Sequence, residues 1–279
     1  MSRRVRYLAE MGIPVYALRR AGGGAAGSPA AAIASDAASL TSDAVSVTLD
    51  ATENALGAAA FASHAAAVPS DAAGASVGGA LVDAPSAPRP ATADAWRALE
   101  AEVRDCTRCP LHRGRTQTVF GVGRRDAELL VIGEAPGEEE DRQGEPFVGP
   151  AGRLLNAMLR AIGLSRQQVY IANILKCRPP GNRDPRPEEA DACASFLDRQ
   201  IEMISPRAML AVGRISAQRL LRTEQPVGRL RGVVHRYGPA GIPLVVTYHP
   251  AYLLRTPIAK AKSWQDLCML LPLLASSSG

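Results

Sequence analysis

Leu129-Leu-Val-Ile132-Gly133-Glu134-Ala135-Pro136-Gly137 is an apolar run of strand length that breaks into a Gly-Pro loop. Three further runs share that length: Val169 to Ala172, Ala208 to Val212 and Leu244 to Thr247. Helical spacing fills the gaps. Gly152 to Ile162 sets Leu155, Met158, Leu159 and Ile162 on one face, and Pro187 to Ile204 and Ser216 to Arg222 follow. Strands alternating with helices specify an α/β fold, a parallel sheet covered on both faces. In such sheets ligands bind beyond the carboxyl ends of the strands. The residues just past each run therefore frame one cleft: Gly133 to Gly137, Asn173, Gly213-Arg214 and Tyr248-His249-Pro250.

Working outward, Trp96, Leu99 and Val103 at helical spacing behind a Thr92 or Asp94 cap open the globular part. Before it, residues 21–91 form a tract rich in Ala, Gly, Ser and Pro. The stretch 51–80 has 13 alanines and no Lys or Arg, too little apolar surface to offset the entropy of ordering. The expected organisation is a short N-terminal segment (1–20), a disordered linker (21–91) and a globular domain (92–279). Charge follows the same division. Residues 1–95 hold 6 Lys and Arg against 8 Asp and Glu, whereas 96–279 hold 26 against 19. A basic domain favours polyanionic partners, although an excess of this size is also ordinary solubilising surface.

No apolar run approaches the length of a membrane span, and Glu10 and Arg19 interrupt any signal-peptide core. The expectation is a soluble, cytoplasmic protein without a disulfide framework, since its five cysteines are an odd number. Cys106-x2-Cys109, then Cys177 after 67 intervening residues and Cys193 after 15 more, can supply four thiolates. Such a set holds zinc or an iron-sulfur cluster. The absence of a second close pair favours iron-sulfur, and separate buried thiols are the plainer alternative. Cys268 reads as a small core hydrophobe.

Other candidates also carry two readings. Glu134, Glu138, Glu139, Glu140 and Asp141 compose either a solvated acidic loop or a strand-end loop aiming Glu134 or Glu140 into the cleft. Phe147, in a Gly-Pro-rich segment outside any periodicity, is a stacking platform or a core plug. Asn173 closes a turn or offers its amide to the edge of a base. His249 caps local backbone or contacts a ligand.

Taken together, Gly133-Glu-Ala-Pro-Gly137, Pro146-Phe-Val-Gly149, Asn173 with Lys176-Cys-Arg-Pro179, His249-Pro-Ala-Tyr-Leu-Leu-Arg255 and the cysteine spacings resemble a family 4 uracil-DNA glycosylase. Sequences of this kind are also labelled as related to a phage DNA polymerase. The resemblance spans roughly Trp96 to Leu274. It implies a three-layer αβα sandwich around a four-stranded parallel sheet, and a 4Fe-4S cluster held by Cys106, Cys109, Cys177 and Cys193. The implied activity is that of a monofunctional hydrolase that removes uracil from single- or double-stranded DNA, leaving an abasic site for base excision repair. Glu134 and Ala135 would line the catalytic-water side and Phe147 would stack on the flipped uracil. Asn173 would read its O4 and N3 edge, His249 would face O2, and Glu140 would crowd C5 against thymine. Better-known glycosylases of this fold carry an aspartate where this chain has Ala135, so Glu134 either acts as base or only orients the water, with electrostatics alone as the other source of rate.

Base extrusion costs about a few kcal/mol, least for a single-stranded or mismatched base. Leu253 or Leu254 would fill the vacated space, with Arg255 near a phosphate. A sister group traps DNA covalently through a histidine in an insertion near the second strand. Asn173 to Asp184 contains no histidine, so turnover without trapping is expected. The competing reading is a noncatalytic iron-sulfur DNA-binding protein, with Arg178, Arg183 and Arg186 on phosphates. A monomer is expected, associated with the nucleoid, with residues 1–20 available to a replication or repair protein.

Overall fold

A computed structural model describes residues 91–275 together with Ala9 and Gly12. The expectations for 1–20 and 21–91 otherwise lie outside the described residues. The first helix, α1 (Ala93–Arg104), is capped by Thr92, whose hydroxyl accepts from the Ala95 N–H at 3.2 Å. Its buried stripe is Trp96, Leu99 and Val103, and Trp96 meets the edge of Phe120 and the tilted ring of Tyr170.

The sheet is built from β1 (Val122–Gly123), β2 (Leu129–Gly133), β3 (Tyr170–Asn173), β4 (Ala208–Val212), β5 (Val234–Tyr237) and β6 (Ile242–Thr247). Its order is β1-β3-β2-β4-β6-β5. The four inner strands are parallel and are the four apolar runs of the sequence. The expected four-stranded sheet is extended to six by antiparallel edges, β1 on β3 and β5 on β6. Neither edge could announce itself, because β1 is two residues long and β5 is partly exposed along its whole length.

Every residue of β2 and β4 is buried, as both covered faces require. Leu130 and Ile132 face a core shared with α1 and α4 (Pro187–Ile204), whereas Leu129 and Val131 face α3 (Pro150–Ala161). The result is the expected αβα sandwich. From β2 the chain crosses through α3 to β3 on one side, then through α4 to β4 on the other. The reversal opens a crevice at the carboxyl ends of β2 and β4, the place where open α/β sheets bind ligands.

Candidate active site

At the end of β2 the backbone is fixed on both sides of the catalytic candidate. Ile174 N–H donates to the Gly133 carbonyl and Leu175 N–H to that of Glu134, each at 3.0 Å. Gly133 has to be glycine. A Cβ there would sit 2.3 Å from Asn173 Oδ1 and 2.6 Å from the Phe147 ring. The amide and the aromatic thus close over one bare Cα. Phe147 reaches it with a left-handed backbone (φ 56°), and the start of α3 presses close enough that a Cβ on Gly152 would lie 1.8 Å from the Phe147 carbonyl oxygen. Gly133→Ala is expected to displace Asn173 and Phe147 while preserving the far-UV spectrum, measurable as a changed near-UV aromatic signal. An unchanged near-UV signal would show that the closure is irrelevant.

His249 stacks its ring on Phe147, with centroids 5.6 Å apart and planes at 30°. It caps α7 (Pro250–Arg255): Ala251 N–H donates to His249 Nδ1 at 3.1 Å. Burial, with Arg255 adding repulsion, lowers its pKa to about 4 despite the opposing Glu140. A neutral ring accepting at Nδ1 carries its proton on Nε2, so His249 presents a single neutral donor. Capping and ligand contact are therefore compatible. Gly213, at φ 103°, lets the imidazole approach, since a Cβ there would lie 3.0 Å from the His249 Cβ.

Asn173 is 2% exposed, and its Oδ1 is buried with no hydrogen-bond partner among the described residues. An unpaired buried amide oxygen costs about 1–3 kcal/mol, so it marks a position that a ligand donor would satisfy. Asn173 is the last residue of β3, not a turn residue beyond it.

Glu134 is desolvated enough to raise its pKa to about 7, helped by the charge of Asp184 and opposed by Arg214. Asp184 and Arg214 pair with each other. Arg214 was visible as the second residue after β4, but nothing in sequence placed Asp184 beside it. Glu140 is engaged differently from the expectation at C5. Its Oε1 accepts from Val148 and Gly149 N–H at 2.9 and 3.2 Å, and its Oε2 from Gly137 N–H at 3.2 Å. It braces the Phe147 loop against α2 (Glu138–Gln143).

Two expectations are narrowed. Leu253 is 0% exposed and packs into the core, whereas Leu254, one residue on, is 45% exposed beside the exposed Arg255. Arg183 is held by the buried Glu189, with one N–H···O contact at 2.9 Å and a second to the other oxygen, so it clamps its own loop.

Cys106, Cys109, Cys177 and Cys193 line one cavity, walled also by Phe196 and Arg115. Arg115 Nη1 donates to Cys177 Sγ at 3.2 Å and to the Cys106 carbonyl at 2.9 Å. Burial raises the Cys177 thiol, and raises Cys193 to about 11. Among the described residues no three His, Cys, Asp or Glu side chains are placed to ligate a single metal ion. Four thiol sulfurs around one cavity are the donor set that an iron-sulfur cluster requires. Cys268 is half-buried away from this set.

A buried aromatic ring, a buried amide and a neutral histidine thus stand together at the switch point of an open α/β sheet. Comparison with known proteins makes this specific. The profile of the Uracil DNA glycosylase superfamily matches residues 120–268. Type-4 uracil-DNA glycosylases from Archaeoglobus fulgidus and Thermotoga maritima are 45% and 46% identical over 163 and 159 residues. Each match covers 56% of this chain, and 81% and 82% of the relative. A third, from Pyrobaculum aerophilum, is 41% identical over 177 residues, 61% of this chain and 90% of the relative. The chain belongs to the uracil-DNA glycosylase superfamily.

Proposed function

We propose that the chain excises uracil from DNA by hydrolysis of the N-glycosidic bond, with the flipped base seated between Phe147, Asn173 and His249. The observation that carries this is the unpaired Oδ1 of Asn173 over the bare Cα of Gly133, a built acceptor at the edge of an aromatic platform. Uracil supplies the N3–H donor that this oxygen lacks, and the Asn173 amide N–H₂ turns to O4. His249 Nε2–H serves O2, where negative charge gathers as the base departs. One such donor is worth about 3–4 kcal/mol at the transition state. Water adds to the sugar carbon as the bond to uracil breaks, and Glu134 receives the proton of that water. Glu140 shapes the wall at C5 by holding Val148 and Gly149 in place.

The four cysteines would hold a 4Fe-4S cluster, which when bound cross-links the loop after α1, the exit of β3 and the face of α4. No described helix is long and apolar enough to cross a membrane, in keeping with a DNA repair enzyme of the cytoplasm. Monomeric action at the nucleoid and contact of residues 1–20 with a repair or replication protein belong to the same reading.

The test is incubation with a uracil-containing single-stranded oligonucleotide. Alkali-labile sites, with no uracil-dependent adduct surviving denaturation, are expected. An intact oligonucleotide would leave only DNA binding. Leu254→Ala should cost about tenfold on duplex DNA and little on single strands, because only the duplex has a vacated space to fill. Equal losses on both substrates would remove Leu254 from that role.

A further inference from the structure

Lys176 is the largest charged side chain sealed inside the protein, at 1% exposed. Its Nζ donates to the backbone carbonyl of Asn173 at 3.1 Å and to Gln200 Oε1 at 2.6 Å. Gln200, itself fully buried, is held in turn: its Nε2 donates to the Phe120 carbonyl at 3.0 Å and to the Tyr170 hydroxyl at 3.3 Å. The Lys176 backbone is also engaged. Its carbonyl accepts from Val119 N–H at 2.8 Å, and its N–H donates to the sulfur of Cys193. Cys193 and Gln200 are seven residues apart on α4, two turns on one face, so a single helix presents both to Lys176.

Asn173 needs such a support. It ends β3, in register with Gly133 of β2 but beyond the last residue paired with β1, and its side-chain oxygen makes no hydrogen bond among the described residues. We propose that Lys176 is a positioning residue that fixes the Asn173 carbonyl through its ammonium and ties the cysteine-lined cavity to the base-reading amide. Lys176 touches no substrate in this reading. It sets the direction from which Asn173 presents its amide. The inference rests on the proposed role of Asn173 in base binding.

The test measures free-uracil affinity by calorimetry on the holoenzyme, beside visible absorbance per protein and Tm. Lys176→Met, which keeps length and burial but removes the donor, is expected to retain the absorbance and to weaken uracil binding about tenfold. A lowered Tm with unchanged uracil affinity would make Lys176 merely structural and overturn the proposal. Should Lys176→Met lose its absorbance, Gln200→Asn decides. It withdraws the acceptor by one methylene without touching a cysteine neighbour, and it must weaken uracil binding at least about threefold. Unchanged affinity in Gln200→Asn overturns the proposal equally. Asn173→Ala separates the two ideas. If it binds uracil normally, the base-reading role itself fails, whereas a weak Asn173→Ala beside a normal Lys176→Met defeats only the positioning role.

Discussion

Glu134→Gln is expected to lower the single-turnover rate of uracil release by about 10²–10⁴-fold while DNA affinity stays within about threefold. The carboxyl sits at the switch point between β2 and β4, on a backbone fixed at Gly133 and Glu134, and burial brings its pKa to about 7. A base is most useful near the working pH, and an ordinary surface glutamate would be too weak. Among the described residues at the strand ends, the other groups are otherwise engaged, Asp184 in its pair with Arg214. The residue that follows Glu134 is Ala135, His249 carries its proton on Nε2 with Nδ1 occupied, and both Glu140 oxygens accept from backbone amides. The rate should therefore rise with pH through about 7 as Glu134 ionises, and the Gln variant should show a flat profile there. His249, at about 4, stays neutral across that range and adds no step. A Gln variant with an unchanged rate would confine Glu134 to ordering water.

The same carboxyl predicts a stability signature of opposite sign to that of an ion-paired acid. Its folded pKa of about 7 lies above the ordinary 4.5, so the folded state holds the proton to higher pH than the unfolded chain does. Stability contributed by the neutral carboxyl is full below 4.5 and is lost as pH rises through about 7. Glu134→Gln should raise Tm at pH 8 and leave it nearly unchanged at pH 4. His249 works the other way. Its folded pKa of about 4 lies below the ordinary 6.5, so its contribution is full above 6.5 and is lost as pH falls through about 4.

Why sequence reached so much of this is visible residue by residue. The four inner strands are continuous apolar runs because both faces of the sheet are covered, and α4 runs from Pro187 to Ile204 as its spacing specifies. The cleft followed from the strand ends alone. What stayed hidden was set by contacts between distant residues or by elements too short to fix a phase. The six residues of α7 do not determine whether Leu253 or Leu254 turns inward, and only packing against the α3 side buries Leu253. The partners Asp184 and Arg214, or Lys176 and Gln200, meet across 30 and 24 residues. Glu140 looked like a pocket wall by motif, but backbone amides eight and nine residues on take one of its oxygens.

Replacing Cys193 by Ala is expected to remove the visible absorbance and the iron together and to destabilise the domain by several kcal/mol. The magnitude decides between the two readings of the cysteines. If Cys193 were only a buried small hydrophobe in α4, the change to Ala would remove one sulfur and cost about 1 kcal/mol, without a chromophore to lose. As a cluster ligand it joins segments separated by 67 and 15 residues. Losing that cross-link returns loop entropy to the unfolded chain and forfeits binding energy that is also folding energy. Ligation has to remove the proton that burial holds on the Cys193 thiol up to about 11, a cost that bound metal offsets. Arg115, donating to Cys177 Sγ, is placed to favour the thiolate there. Cys268→Ala is the control and should leave colour, iron and Tm unchanged. A colourless wild-type protein, or a Cys193→Ala variant that keeps its iron, would return the four thiols to the core.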